Sequence, residues 1–248
     1  MALTDLTCTS RPRRSPATAR FAWLRMVCVV VILLVAAGCA GHPRAASPTV
    51  TPLPVHPQVL VFGDSYTQGV GANPMTLGYA YQLGDQLGWN VTVDGVGGSG
   101  YIAPGPPQQG PFLKRLPTAA PGPFDLILLQ GSSNDERQPL ADLAPAVDQT
   151  VAAFRARYPT ARIILLGPIA LHGSVPEAKA AVNDTLKNYA AGHQLSFIDP
   201  IAESWFAHGE SRTMINPADG HPSNEGYLRI RDRLVIDLSR LTATPAFG

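Results

Sequence analysis

"VLVFGDSYTQG" spans Val59 to Gly69. Four apolar residues, Val59 to Phe62, lead directly into Gly63-Asp64-Ser65. A run this short and this apolar reads as a strand buried on both faces. The small, bendable Gly with Asp and Ser behind it is either an ordinary tight turn or a nucleophile at the lip of a sheet. A nucleophile needs partners at the same edge, so the rest of the chain must choose between the two.

Further apolar runs follow at regular intervals. Val91–Val93, Phe124–Gly131 ("FDLILLQG"), Ala161–Pro168 ("ARIILLGP") and Leu195–Pro200 ("LSFIDP") read as four more strands. Between them lie helical patterns. Leu77–Leu87 ends at Gly88, and Leu140–Tyr158 carries Leu143, Val147, Val151 and Phe154 on one side. Pro176–Ala191 has Pro in its first turn, and Glu225–Leu241 closes the chain. Residues 95–111 hold too much Gly and Pro for regular structure. Strands alternating with helices predict a parallel sheet covered on both faces. Ligands of such sheets bind beyond the carboxyl ends of the strands.

Those ends carry chemistry. Strand one is followed by Asp64 and Ser65, and strand two by Gly97-Gly98-Ser99-Gly100. Strand three is followed by "GSSNDE" with Asn134 and Asp135, and a late loop, "ADGHPSNEGY", holds Asp219 and His221. A Ser hydroxyl attacks an acyl carbon only when a base takes its proton. His221 suits that task near neutral pH. A carboxylate on the other ring nitrogen would fix the tautomer. Glycine N–H groups and an Asn amide can hold a developing oxyanion.

In this order, Gly-Asp-Ser, a Gly-rich loop, Gly-x-x-Asn-Asp and Asp-x-His-Pro resemble the SGNH hydrolase superfamily of GDSL-type esterases and lipases, over about Gln58 to Leu241. The resemblance implies a three-layer α/β/α sandwich on a five-stranded parallel, flavodoxin-like sheet. It implies Ser65 as nucleophile and His221 as base. The oxyanion donors would be the Ser65 and Gly98 backbone N–H groups and the Asn134 amide, with Gly97 as rival to Gly98. Three departures stand out. Tyr66 follows Ser65 where Leu is usual. Ser132-Ser133 adds a residue before Asn134. Asp219-Gly220-His221 is one residue shorter than the usual Asp-x-x-His. Asp219 therefore completes a triad, or the pair works as a dyad with a backbone carbonyl on His221.

Plainer roles are expected elsewhere. Asp64 and Asp135 each suit a hydrogen bond to nearby backbone in their own turns. His172 follows a strand end and is a pocket candidate, although a lone His is more often on the surface. His193 and His208 read as helix-end residues, and Trp89, Trp205 and Phe206 as core or pocket wall. The loop Pro104–Pro111 is expected to border the pocket. The spacings support no metal site, and "GVGGSG" lacks the Lys-Ser/Thr ending of a phosphate loop. No cofactor is expected.

The front of the chain reads as a targeting segment. Residues 1–38 hold five Arg and one Asp; the remaining residues have 14 basic and 17 acidic side chains, a net charge of −3 that suggests no nucleic-acid partner. Met26–Ala37 is apolar throughout but, at twelve residues, short of the ~20 that span a bilayer. It suits a signal-peptide core. "AAGCAG" then resembles a bacterial lipobox with Cys39 as the lipidated residue. Residues 39–57, rich in Pro, Ala, Ser and Thr, read as a tether, and residues 58–248 as the hydrolase-like domain. Cys8, Cys28 and Cys39 are the only cysteines, so the domain must stand on its packed core without a disulfide. The expectation is an exported serine esterase, anchored to the outer face of the cell membrane, that acts on acyl esters such as O-acylated envelope glycans or short lipid esters. An acyltransferase using the same acyl-enzyme and a non-catalytic envelope-binding lipoprotein are the alternatives.

Overall fold

A computed structural model describes residues 52–206 and 212–243. The leader (1–38), the lipidation candidate Cys39, most of the tether and His208 lie outside the described residues.

Five strands form the sheet: β1 (Gln58–Gly63), β2 (Asn90–Gly95), β3 (Leu126–Gln130), β4 (Arg162–Leu166) and β5 (Ser196–Ile198). Their spatial order is β2-β1-β3-β4-β5, and every pairing is parallel. The order reverses between β1 and its neighbours β2 and β3, so the topological switch point lies at the end of β1, where Gly63-Asp64-Ser65 stand. The expected flavodoxin-like α/β/α sandwich is the observed fold.

Period-two alternation divides the strands between two cores. Val59 and Val61 of β1, Leu126 and Leu128 of β3, and Ile164 and Leu166 of β4 face one side. Helices α2 (Tyr79–Leu87) and α6 (Asn224–Thr242) cover it with Leu83, Leu87, Tyr227, Ile230 and Leu234. Leu60, Phe62, Ile127, Leu129 and Leu165 face the other side. There α3 (Phe112–Arg115), α4 (Leu143–Arg157) and α5 (Glu177–Gly192) supply Phe112, Val147, Phe154 and Leu186. Each fully buried Leu or Phe contributes roughly 1.5–3 kcal/mol relative to exposure. Trp89, Trp205 and Phe206 are buried in the first core, as expected of bulky aromatics.

Boundaries differ from expectation where turns tighten. Met75–Leu77 and Leu140–Asp142 are 3₁₀ turns, so α2 and α4 begin two and three residues later than the apolar pattern suggests. Pro176 caps α5 from outside, since its extended ψ of 144° precedes the first helical residue. Gly88 ends α2 in the left-handed region at φ 68°, its N–H on the Gly84 carbonyl. One element was not foreseen: α1, Ser65–Gln68, a single helical turn directly after β1. Residues 53–57, expected to belong to a tether, lie against the domain. Leu53 packs on the first core, and His56 Nδ1 lies 2.8 Å from the Gly88 carbonyl.

Candidate active site

The strand-to-helix turn at the end of β1 places Ser65. Asp64 is the N-cap of α1, and its Oδ1 accepts the Tyr66 N–H at 2.9 Å, the local turn role expected of it. Asp64 is also almost fully buried, and desolvation pushes its carboxyl up to about 6, against the opposing hydrogen bonds from the Tyr66 backbone and Gln130 side chain. Gly69 closes the turn at φ 88° with its N–H on Ser65 O and Tyr66 O. Ser65 is thus fixed at both ends and is buried to 7% exposure.

His221 arrives from a loop 156 residues away. Its Nε2 is 2.9 Å from Ser65 Oγ. The loop is a folded turn: Gly220 N–H donates to Asn216 O at 2.9 Å and Asn216 N–H to His221 O at 2.8 Å. Asn216 Nδ2 donates to Gly71 O at 3.0 Å, tying this turn to the segment after the nucleophile. The two segments touch so closely that a Cβ on Gly71 would sit 2.6 Å from Pro222 O and 2.8 Å from His221 Cβ.

Asp219 is beside His221 but not in a strong hydrogen bond with its ring. Asp219 Oδ1 accepts the His221 backbone N–H at 3.0 Å and lies 3.5 Å from Nδ1. That is ion-pair range, beyond the 2.7–3.2 Å of a good hydrogen bond. Nδ1 has no hydrogen-bond partner among the described residues, so the backbone carbonyl of a dyad is not in place either. Between them Gly220 sits at φ 74°, and the carboxylate folds back onto the His221 N–H of its own turn.

The oxyanion candidates gather at the same edge. Gly97 N–H is already committed to Gln68 Oε1 at 2.8 Å. Gly98 N–H donates to no acceptor among the described residues, nor does Ser65 N–H. Gly98 sits at φ 77°, a conformation that favours glycine. The Asn134 amide donates one N–H to Ser99 O at 2.9 Å, which leaves its second N–H for a ligand. Gly98 and Asn134 line one cavity of about 430 Å³ with Pro104, Gly105 and Arg137, so the Pro104–Pro111 loop does border it. A second cavity of about 350 Å³ borders Tyr66, Ile169, Leu171, His172, Lys179 and Gly220. His172 is therefore a pocket residue. Tyr66, at the position of the Leu-to-Tyr departure, packs its ring 5.8 Å from that of His221.

Asp135 bonds a distant backbone segment rather than the backbone of its own turn. Its buried carboxylate accepts backbone N–H groups of Tyr101, Ile102 and Ala103 at 2.8–3.0 Å and so pins the far limb of the Gly-rich loop. Burial pushes its carboxyl above the usual carboxylate range, while these three bonds and one with the Ser132 hydroxyl oppose the rise. Ser132 takes the local role instead, its Oγ accepting Asn134 N–H at 3.1 Å. Sequence reasoning also missed Gln68, Gln130, Lys179 and Arg115. Their partners lie tens of residues away and carry no local spacing.

A serine paired with an imidazole at the switch point of a doubly wound sheet, beside unpaired N–H donors, can add to an acyl carbon and hold the resulting oxyanion. That is the equipment of a serine hydrolase. The chain belongs to the GDSL-like lipase/acylhydrolase family, which it matches over residues 61–229, and so to the SGNH hydrolase superfamily; it is an ester-hydrolase-type enzyme. It is 31% identical over 209 residues to a GDSL lipase of Mycobacterium tuberculosis, covering 79% of this chain and 87% of that one. In fold it is similar to a family 2 carbohydrate esterase of Corynascus thermopiles, with a TM-score of 0.61 and 20% identity over 79% of this chain and 69% of that one. It is also similar to a salicylyl-acyltransferase of a tetracycline biosynthetic pathway, with a TM-score of 0.59 and 16% identity over 78% of this chain and 57% of that one.

Proposed function

We propose that this enzyme is an exported serine esterase that cleaves short acyl esters of polar alcohols through an acyl-Ser65 intermediate. The observation that carries the reading is the 2.9 Å approach of His221 Nε2 to Ser65 Oγ beside the unpaired Gly98 N–H. His221, with its ring proton on Nδ1, accepts the Ser65 proton as Oγ attacks the carbonyl carbon. The carbonyl oxygen becomes an oxyanion held by the Ser65 and Gly98 N–H groups and the second N–H of Asn134. Collapse expels the alkoxide, which takes the proton from Nε2. Water then repeats the attack on the acyl-enzyme, with His221 as base, and releases the carboxylic acid. Asp219 favours the Nδ1-protonated tautomer and the imidazolium from 3.5 Å.

The substrate class rests on the cavities. One mixes Glu136, Arg137 and Gln138 with Pro104, and the other mixes His172 and Lys179 with Ile169 and Leu171. Such walls suit a short acyl group on a hydroxyl-rich alcohol, an envelope glycan among them, better than a long lipid chain. The basic leader, the twelve-residue apolar core and the lipobox-like "AAGCAG" support export and anchoring through Cys39. Hydrolysis of nitrophenyl acetate, butyrate, octanoate and palmitate tests the reading, with Ser65→Ala as control. Turnover is expected to be greatest for the short esters and absent in Ser65→Ala. Activity surviving in Ser65→Ala removes the acyl-enzyme, and preference for palmitate removes the short-ester assignment.

A further inference from the structure

Arg115 is the most deeply buried cation among the described residues, at 3% exposure. Taking a guanidinium out of water costs several kcal/mol unless its donors are paired in good geometry. An apolar side chain would fill the space, since the guanidinium lies 4.2 Å over the Phe62 ring and 5.7 Å from that of Phe112. The planar fork is used instead, on three separate segments. Nη1 donates to Gly63 O and to Ser99 Oγ, each at 2.8 Å. Nη2 donates to Asp94 O at 3.1 Å and pairs with the Asp94 carboxylate.

Two of these partners lead into the reaction centre. Gly63 is the residue before Asp64-Ser65. Ser99 is fully buried and follows Gly98. Its hydroxyl accepts from Arg115 and donates to Val96 O at 2.7 Å, so its proton has one direction. Its carbonyl accepts the Asn134 amide at 2.9 Å. One guanidinium therefore holds the strand end that carries the nucleophile and the residue that links both candidate oxyanion donors outside α1. A Lys point charge cannot bridge Gly63 O, Ser99 Oγ and Asp94 at once.

We infer that Arg115 is a positioning residue for the ester cleavage: through Gly63 and Ser99 it sets the separation between the Ser65 nucleophile and the Gly98 and Asn134 oxyanion donors. It rests on the esterase reading of Ser65 and touches no substrate itself. Losing it shifts the donors relative to the position of the oxyanion, which acts on the transition state more than on the ground state.

The test compares wild type, Arg115→Lys, Ser99→Ala and the double variant, using nitrophenyl acetate kinetics, melting temperature and the rate of fluorophosphonate labelling of Ser65. Removal of a whole oxyanion donor costs about 10²–10³ in kcat. Misplacement is expected to cost about 10-fold to 10²-fold in Arg115→Lys and roughly 3-fold to 10-fold in Ser99→Ala, with KM within about threefold of wild type. Labelling should slow in parallel. The double variant should be about as slow as Arg115→Lys alone, since both changes break one linkage. Ser99→Ala removes a single oxygen and serves even if Arg115→Lys does not fold. A kcat of folded Ser99→Ala within twofold of wild type overturns the inference, as does a loss expressed in KM alone or only near the melting temperature. Failure of the esterase reading looks different: wild type itself would be inactive, or Ser65→Ala active, and the inference would fall with it.

Discussion

At the scale of single residues, the 3.5 Å between Asp219 and His221 Nδ1 sets how much the carboxylate can do. Asp219 is partly exposed, so its field is screened by water. In a serine protease with the same constellation, changing the orienting Asp to Asn costs about 10⁴ in turnover. The looser geometry here sets a smaller expectation for Asp219→Asn, a fall of about 10-fold to 10²-fold in kcat with the melting temperature nearly unchanged. The fold is spared because the amide oxygen can still accept the His221 N–H. Turnover within twofold of wild type would leave Ser65 and His221 working as a dyad. Asp64 supports a second prediction. Burial pushes its folded-state carboxyl up to about 6 from an ordinary 3.8, so the native state binds this proton more tightly than the unfolded chain. The buried charge is destabilising in full above about pH 6, and the penalty fades as pH falls toward 4. Asp64→Asn keeps an acceptor for Tyr66 N–H and removes the charge. The variant should therefore be more stable at pH 7.5 by on the order of 2–3 kcal/mol. The difference should shrink to near zero at pH 4 in paired thermal melts. A gap that stays constant with pH would assign the effect to something other than ionisation. Ser65 and Asn134 stood out in the sequence because they follow strand ends, and His221 because it stands beside Asp219 in a late polar loop. Arg115 did not, because a buried Arg is recognised only by partners 16, 21 and 52 residues away.

At the scale of elements, β1, β3 and β4 were readable because burial on both faces leaves nearly unbroken apolar runs, whereas β2 and β5 are only partly buried. The starts of α2 and α4 were not readable, because a 3₁₀ turn carries the same apolar residues as the helix it precedes. The helical turn α1 escaped notice because four residues are too few for a periodic signal. The loop-to-loop contacts that assemble the site are likewise invisible to periodicity, and Gly71 is their clearest instance. It sits at φ 94°, and its missing Cβ leaves room for His221 and Pro222. Gly71→Ala forces the 216–222 turn outward, and with it the imidazole. Ester turnover should fall by about 10-fold to 10²-fold, the order that a misplacement near 1 Å produces, and the melting temperature should drop as well. Gly192, with open space around its Cβ position, is the control. Gly192→Ala lies at the end of a helix and should leave turnover unchanged. Equal turnover in the two variants would show that Gly71 does not set the position of His221.

At the scale of the whole molecule, the domain and the segment before it obey different physics. The domain folds on two apolar cores that contain no cysteine, so its melting temperature should be indifferent to reductant. Residues 1–38 hold five of the chain's 19 basic side chains and a twelve-residue apolar run, the pattern on which the export proposal rests. If Cys39 carries the lipid, its acyl chains supply the membrane affinity, at about 0.8 kcal/mol per buried CH₂, and the domain needs no apolar docking face of its own. Wild type expressed in a bacterial host that lipidates such signals should therefore partition with membranes. Detergent should release it, and mass spectrometry of its N-terminal peptide should find an acylated cysteine. Cys39→Ala should either appear in the soluble fraction or retain its leader, with the ester turnover of the purified domain unaltered, because residue 39 lies outside the domain that carries the site. A wild-type protein recovered soluble with an unmodified cysteine would overturn the anchor. It would leave the esterase reading intact, because Ser65, His221 and Asn134 all lie in the domain and none depends on how it is held at the membrane.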